Sequence, residues 1–532
     1  MTQDNAPETI GTETYVTTAA NLLPVNPLPV KLIVRSQEQL PLRAPLSIVG
    51  GGLASFDLQR LYAVFNDYAS RRWQLPIHLA SSTGHPSAST IALELRTDLP
   101  PHFAGAEHPW QRIEAYSLSC GASGAVITAP AYHGLFNGLM TLLQLATRHA
   151  DGRWHLPNVA IEDYPRLHWR GYMLDVSRHF FDTAEVKRLL AAMALFKLNR
   201  FHWHLSDHQG WRIPIEGYPK LISVGAWRSS IGFNFAANLS DHYNSQGQYG
   251  GFYTHQQIEE VVAFAAERHI TIVPEIDMPG HTGSAIAAYP ALSCSGQPIA
   301  VSTSAIWSAH DPCLCVGDKR VYQFADRVIG TLADLFPGQY IHTGGDEVKF
   351  YSWQHCPKCL ALAKRHHIKT MPGLQAYFEH RMNQIVRAHG KLMIGWDEIL
   401  YDLPRDAAIM AWHSQPQVIE HAIQAEALCV RAPTAHMYFD YPLTTTPPQK
   451  VYAFNPADDG LAGANGHLLL GSQACLWTEW VPNMQVVQER TFPRLCAAAE
   501  VFWTPQQRRN WQTFSRRLPH VFVPNLADAA QR

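Results

Sequence analysis

Asp346 and Glu347 stand side by side in the segment IHTGGDEVKF, residues 341–350, behind two glycines and an apolar run. Adjacent carboxylates that line one pocket repel, which raises the pKa of at least one of them. A raised carboxyl is a general acid at neutral pH, and an ionised partner stabilises developing positive charge. The plainer reading is a helix N-cap with an acid in the first turn, which the helix dipole favours. The lead-in Thr343-Gly344-Gly345 permits a ligand to approach the backbone closely and shifts the balance toward chemistry. Trp396, Trp412 and Trp477 fall at comparable places in later apolar segments, where indoles could box a small apolar group. Any one of them alone is more often core packing.

Histidines form a second group. FHWHLSDHQGWRI, residues 201–213, carries His202, His204, Asp207 and His208, a grouping that invites a metal reading. Alternate strand residues share a face, however, and a barrel-interior histidine is usually hydrogen-bonded core, so metal is the minor reading. PEIDMPGHT, residues 274–282, offers Glu275, Asp277 and His281. His281 could orient an acid, or be an ordinary loop histidine. Of nine cysteines, Cys313-Leu-Cys315 and Cys356-Pro-Lys-Cys359 together could hold zinc. Free thiols or one local disulfide are favoured, because Cys-x-Cys is not the usual partner spacing.

From Pro165 onward, short apolar strands alternate with amphipathic helices, which implies a parallel sheet. The strands are RGYMLDV, RFHWHL, ITIVPEI, YIHTGG, LMIGWDE, AIMAWH, LCVRAP and LLLGSQA; helices are expected over 183–198, 255–269, 321–336 and 373–389. About eight such units in roughly 350 residues fit a (β/α)8 TIM barrel with insertions. Functional groups then belong at the strand C-terminal ends. Those ends read Asp175 and Arg178-His179; His204 and Asp207; Glu275, Asp277 and His281; Asp346 and Glu347; Trp396, Asp397 and Glu398; Trp412 and His413; Trp477 and Glu479. A purely structural barrel would not need titratable and aromatic residues at almost every strand end.

The barrel, 165–510, is preceded by a smaller α+β domain over 21–164, with tails at 1–20 and 511–532, so the fold class is α/β. The long insert 229–253 would shape one side of a site or an interface. The chain has 532 residues and a formal net charge of −2 without a basic stripe, which argues against a nucleic-acid binder. No stretch is apolar and long enough to span a membrane. The N-terminus lacks a basic and an apolar region. The expectation is cytoplasmic by default, or periplasmic or secreted if a signal was removed.

RGYMLDVSRHF, HWHLSDHQGWR, PEIDMPGHT, HTGGDEV, GWDE, MYFDY and LWTEW follow one another in this order and together resemble family-20 glycoside hydrolases, the β-N-acetylhexosaminidases. HGLFNGLMTLLQL and IEDYPRLHWRG resemble that family's N-terminal domain, so the likeness covers residues 25–505. The resemblance implies exo-acting removal of terminal non-reducing β-linked GlcNAc or GalNAc with retention. The substrate's own 2-acetamido oxygen attacks the anomeric carbon and gives an oxazolinium intermediate, an exception to the two-carboxylate scheme. It further implies Glu347 as general acid/base and Asp346 as the group that holds the acetamido N–H. Trp396, Trp412 and Trp477 would wall the acetamido pocket, and Tyr438 would donate to the acetamido oxygen. Arg170 with Glu479 would grip the outer hydroxyls, Asp440 would reach O4 or O6, and Asp207 with His281 would form a relay to Glu347. No metal and no cofactor are implied. The implied partner is an N-acetylhexosamine-terminated oligosaccharide or glycoconjugate, with no nucleic acid and no membrane; the oligomer stays open. One departure stands out: the second motif commonly reads DDQGWR, and His208 here replaces an acid. The alternatives are an amidohydrolase-type metal-dependent hydrolase using His202, His204, His281 and His342, and a non-catalytic N-acetylhexosamine-binding protein.

Overall fold

Trp169–Asp175 is buried at every position, as a strand covered on both faces must be. It opens a closed ring of eight strands in a computed structural model that describes residues 23–51, 53–80, 89–96, 105–121, 124–229, 242–304, 308 and 311–527. The strands are β1 (Trp169–Asp175), β2 (Arg200–His204), β3 (Thr271–Glu275), β4 (Tyr340–His342), β5 (Leu392–Trp396), β6 (Ala408–Ala411), β7 (Cys429–Arg431) and β8 (Leu469–Leu476). Each pairs in parallel with the next, and β8 closes on β1 with Gln473 opposite Gly171. All eight expected strands are present, and the helices Thr183–Leu195, His255–Ala266, Lys319–Leu335 and Met371–Ala388 lie within a few residues of expectation.

The barrel interior is filled, not hollow. Met173, Val273, Ile394, Met410 and Val430 form part of its apolar core. A polar centre sits above them. The Glu275 carboxylate accepts from Trp396 Nε1 at 2.9 Å and lies 3.0 Å from His342 Nδ1, 2.5 Å from His204 Nδ1 and 2.9 Å from His202 Nε2. Burial opposes the Glu275 anion, but the surrounding histidines outweigh it and hold its pKa well below the usual range. His202 and His204 are therefore hydrogen-bonded core, the plainer of the two readings of that motif.

The other compact unit comprises the described residues up to 168, with 194–197 and 499–524. Its mixed sheet runs in the order Lys31–Pro41, Trp154–Asp163, Tyr116–Gly121, Gly124–Ala129, Thr90–Leu95, Leu46–Gly51, Ile77–Leu79. The hairpin expected around the Gly/Ser stretch pairs Ser117 with Thr128 in antiparallel register. Helix Tyr132–Leu145 is buried from Gly134 to its end, as a strongly apolar helix should be.

The expected C-terminal tail, 511–532, requires correction. Asn510 caps a helix over Trp511–Arg517 by accepting from Thr513 N–H. Arg517 is buried and holds both oxygens of Glu500 at 2.7 Å. Residues 511–524 are a packed part of this unit, which their position at the end of the chain did not announce. The expected tail at 1–20 and most of the insert at 229–253 lie outside the described residues. The base of the insert is anchored: Trp227–Arg228 pairs antiparallel with Tyr249–Gly250, and Tyr249 Oη accepts from Phe180 N–H at 2.9 Å.

Candidate active site

β4 ends at His342, and the chain turns through Gly344 and Gly345 at φ of 73° and 99°. A Cβ on Gly344 would lie 1.7 Å from Asp277 Oδ1, and Gly345 N–H donates to the same oxygen at 3.1 Å. The group that closely approaches this glycine pair is the Asp277 carboxylate, where the sequence suggested a ligand. Glu347 then takes a left-handed φ of 49°, a conformation that costs a non-glycine residue about 1–2 kcal/mol. That strain sits beside the chemistry, as stored strain often does.

Asp346 and Glu347 converge on one imidazole. His281 Nε2 is 3.6 Å from Asp346 Oδ2 and 3.6 Å from Glu347 Oε2. Its Nδ1 is 3.1 Å from Asp207 Oδ1. Asp207 Oδ2 in turn contacts His204 Nε2 at 3.1 Å and the Arg178 guanidinium at 2.9 Å. The structure thus assembles the line Asp207–His281–Glu347.

Its electrostatics sort the two acids in the opposite sense to the simplest expectation. Burial raises the Asp346 pKa well above the carboxylate range, and the Asp277 carboxylate pushes it further. Asp277 itself is pushed up to about 7, chiefly by burial. Glu347, expected to be the raised member, is lowered, first by its hydrogen bond to His281. Burial disfavours a charged His281, but Asp207 and Asp346 outweigh it and lift its pKa well above the usual value. Burial likewise opposes the Asp207 anion, and Arg178 and His281 win, holding it well below. Proton affinity is therefore greater on the Asp346–Asp277 side, and Glu347 faces the His281 imidazole.

The three tryptophans lie in one aromatic cluster with Tyr438. Ring centroids of Trp396 and Trp477 are 5.7 Å apart, Tyr438 lies 6.3 Å from Trp477, and Trp412 stacks on Tyr438 at 6.2 Å. Trp412 is pinned from two sides. Asp397 Oδ2 accepts its backbone N–H at 2.9 Å, and Glu398 Oε2 accepts its indole N–H at 3.0 Å. Burial and the nearby Asp346 push Glu398 up to about 8. Asp346 Oδ1 is buried and accepts from no N–H among the described residues, and the Asp346 carboxyl shares a hydrogen bond with that of Asp277. A buried acceptor of this kind is a place for a ligand donor.

Arg170 is misplaced in the sequence reading. It is the second residue of β1 and is paired with Ser472, whereas the site grows from the other end of the strand. Five residues of strand put it about 16 Å from Asp175. Arg178, beyond the strand end, stands in the site. It reaches Asp175, Asp207 and Glu479 at 3.3, 2.9 and 3.6 Å and lies 5.0 Å over the Trp477 ring. The strand-end rule already pointed to Arg178 within SRHF. Asp440 Oδ1 is a second buried acceptor without an N–H partner among the described residues, and burial, with help from Glu479, pushes the Asp440 pKa up to about 7. His208 is buried and accepts from Gly283 N–H at 3.1 Å. Burial brings its pKa down to about 4, which favours the neutral imidazole at pH 7. Sequence reasoning also left Asp277 and Glu398 without roles. Their titration is set by burial, which residue type and spacing do not reveal.

Fold and site define a closed (β/α)8 barrel whose strand ends present a paired-acid centre beneath an aromatic cage. The model of glycosyl hydrolase family 20, catalytic domain, matches residues 167–506, and that of the family's domain 2 matches residues 23–164. The chain belongs to glycosyl hydrolase family 20. It is 35% identical over 456 residues to a beta-hexosaminidase of Porphyromonas gingivalis, covering 82% of this chain and 56% of that protein. It is 33% identical over 426 residues to a beta-hexosaminidase of Akkermansia muciniphila, covering 77% and 84%. Among solved structures, the exo beta-N-acetylglucosaminidase of Vibrio harveyi in complex with N-acetylglucosamine superposes with a TM-score of 0.81 at 30% identity, over 94% of this chain and 76% of that one. The beta-N-acetylhexosaminidase of Streptomyces coelicolor gives a TM-score of 0.78 at 30% identity, over 94% and 95%.

Proposed function

We propose that this protein is an exo-acting β-N-acetylhexosaminidase. It cleaves terminal non-reducing β-linked N-acetylhexosamine from an oligosaccharide or glycoconjugate, with retention and through an oxazolinium intermediate. The observation that carries this reading is the convergence of buried Asp346 and of Glu347 on one imidazole, His281, which Asp207 holds from its other side.

The steps follow from the chemistry of each group. The acetamido methyl enters the cage of Trp396, Trp412 and Trp477, and Tyr438 donates to the acetamido oxygen. The acetamido N–H donates to Asp346, which favours the Asp346 anion and lowers its raised pKa. The acetamido oxygen attacks the anomeric carbon while Glu347 gives its proton to the leaving oxygen. Asp346 stabilises the positive oxazolinium, and Glu347 then takes a proton from the water that opens it. Holding the nucleophile within the substrate makes the step intramolecular, which is worth several kcal/mol in an aligned geometry. Arg178, Glu479 and Asp440 grip the outer hydroxyls; Arg178 takes the role the sequence gave to Arg170. Asp207 keeps His281 charged and oriented toward Glu347. Binding alone, as in a lectin, would not call for the Asp207–His281–Glu347 line.

The test compares wild type with Glu347→Gln on a disaccharide and on a nitrophenyl glycoside of N-acetylglucosamine. Loss of a general acid costs about 10²–10⁴-fold when the leaving group needs a proton. The expected result is a drop of that size on the disaccharide and a much smaller one on the nitrophenyl glycoside. Equal losses on both, or none, would refute the assignment.

A further inference from the structure

Four cysteines from distant parts of the barrel chain meet at one point. Cys294 follows the short turn Pro290–Leu292, and Cys315 follows Leu314, which bridges back to Ser293. Cys356 precedes helix Pro357–Arg365, and Cys359 lies in its first turn. Their sulfurs all lie within 4.8 Å of one another. The closest separations are 3.7 Å for Cys294–Cys359, 3.7 Å for Cys315–Cys356 and 3.8 Å for Cys315–Cys359. A disulfide would require about 2.05 Å. Four sulfurs arranged tetrahedrally about one ion at the zinc–thiolate distance of about 2.3 Å are separated by about 3.8 Å.

The surroundings suit an ion. Gly317 carries the turn after Cys315 so close to the helix start that a Cβ there would sit 2.3 Å from the Lys358 carbonyl carbon and 2.5 Å from Cys359 N. The helix N-terminus and the Lys358 and Arg320 side chains, both paired with Asp318, place positive charge near four thiolates. The thiolate is the metal-binding form of cysteine, and four of them around one ion satisfy a closed site. Cys313 takes no part, although the sequence offered it beside Cys315. Its Sγ bonds the Lys349 carbonyl at 3.5 Å, and Cys294, which carried no motif, completes the set.

We propose that Cys294, Cys315, Cys356 and Cys359 bind one Zn²⁺ in a closed tetrahedral site that staples two catalytic loops together. Cys294 and Cys315 belong to the segment after β3 that carries His281. Cys356 and Cys359 belong to the segment after β4 that carries Asp346 and Glu347. The same two segments are joined where the Trp353 indole donates to Leu314 O at 2.8 Å, and Leu314 N–H reaches back to Pro279 O at 2.9 Å. Four protein ligands leave no open position, so the ion is structural and is compatible with a metal-free hydrolytic mechanism. The inference does not depend on which glycoside is cleaved.

The test is elemental analysis of the full-length protein purified without added metal, joined to zinc-edge X-ray absorption. The expected result is about one zinc per chain with four sulfur neighbours at about 2.3 Å. A mercurial thiol reagent should release the zinc as the cysteines are modified. Cys356→Ser/Cys359→Ser should lose it, and Cys313→Ser should keep it. Absence of zinc, iron in its place, nitrogen or oxygen ligands in the shell, or zinc retained by the double variant would overturn the proposal. The absorption spectrum of the unmodified protein decides the question even if the double variant fails to fold.

Discussion

Asp346 and Glu347 are sequence neighbours that their surroundings drive apart. Burial and Asp277 favour a proton on Asp346, while His281 favours the anion of Glu347. Catalysis requires the reverse distribution, and the acetamido N–H supplies it by favouring ionised Asp346. The proton is thus shared by a coupled group, and the pH profile reports macroscopic values. Asp207→Asn removes the anion that keeps His281 charged. Neutral His281 no longer favours the Glu347 anion, so the Glu347 pKa rises. The alkaline limb of kcat/KM should therefore move to higher pH, with kcat falling about tenfold or more, in a pH–rate study on a disaccharide. An unshifted limb would detach His281 from Glu347. The pair and its relay were legible in the motifs. The sense of the pKa displacements was not, because it depends on Asp277, which only the fold brings to Gly344 and Gly345.

At the scale of elements, the strand ends are the organising device. β1 delivers Asp175 and Arg178, β2 leads to Asp207, β3 to Asp277 and His281, and β4 to the acid pair. The alternation of apolar runs and amphipathic helices made all eight strands readable, since a parallel barrel buries both faces of each strand. The arginine assignment failed on position within a strand. Arg170 and Arg178 are eight residues apart in one motif, and only Arg178 lies beyond the strand end. Arg178→Ala should lower kcat/KM about 10²-fold, mainly through KM, because charged hydrogen bonds to hydroxyls are lost. Arg170→Met should instead lower the melting temperature while sparing kcat/KM per folded molecule. Steady-state kinetics with thermal denaturation separates the two; the opposite pattern would restore Arg170 to the site. Cys294 shows a related limit, since a metal ligand supplied singly by a loop has no spacing to recognise.

At the scale of the whole molecule, stability and chemistry rest on different buried charges. In the first unit, Asp163 accepts from Val30 N–H, Tyr116 Oη, Trp503 Nε1 and Lys197 Nζ at 3.0, 2.7, 2.9 and 2.9 Å. That one carboxylate ties together chain segments more than 450 residues apart, a role no sequence pattern marked. Lys197→Met leaves a buried anion unpaired and should cost about 3–5 kcal/mol in denaturant unfolding, with turnover per folded molecule unchanged. A loss below ~1 kcal/mol would mean that the ion pair is replaceable. The barrel unit carries the central claim, that the nucleophile belongs to the substrate. The most direct measurement is the wild-type rate on nitrophenyl N-acetylglucosaminides whose acetyl group bears zero, one, two or three fluorines. Fluorine weakens the acetamido oxygen as a nucleophile. The account predicts a steep, progressive fall in kcat along the series, and a flat series would contradict it.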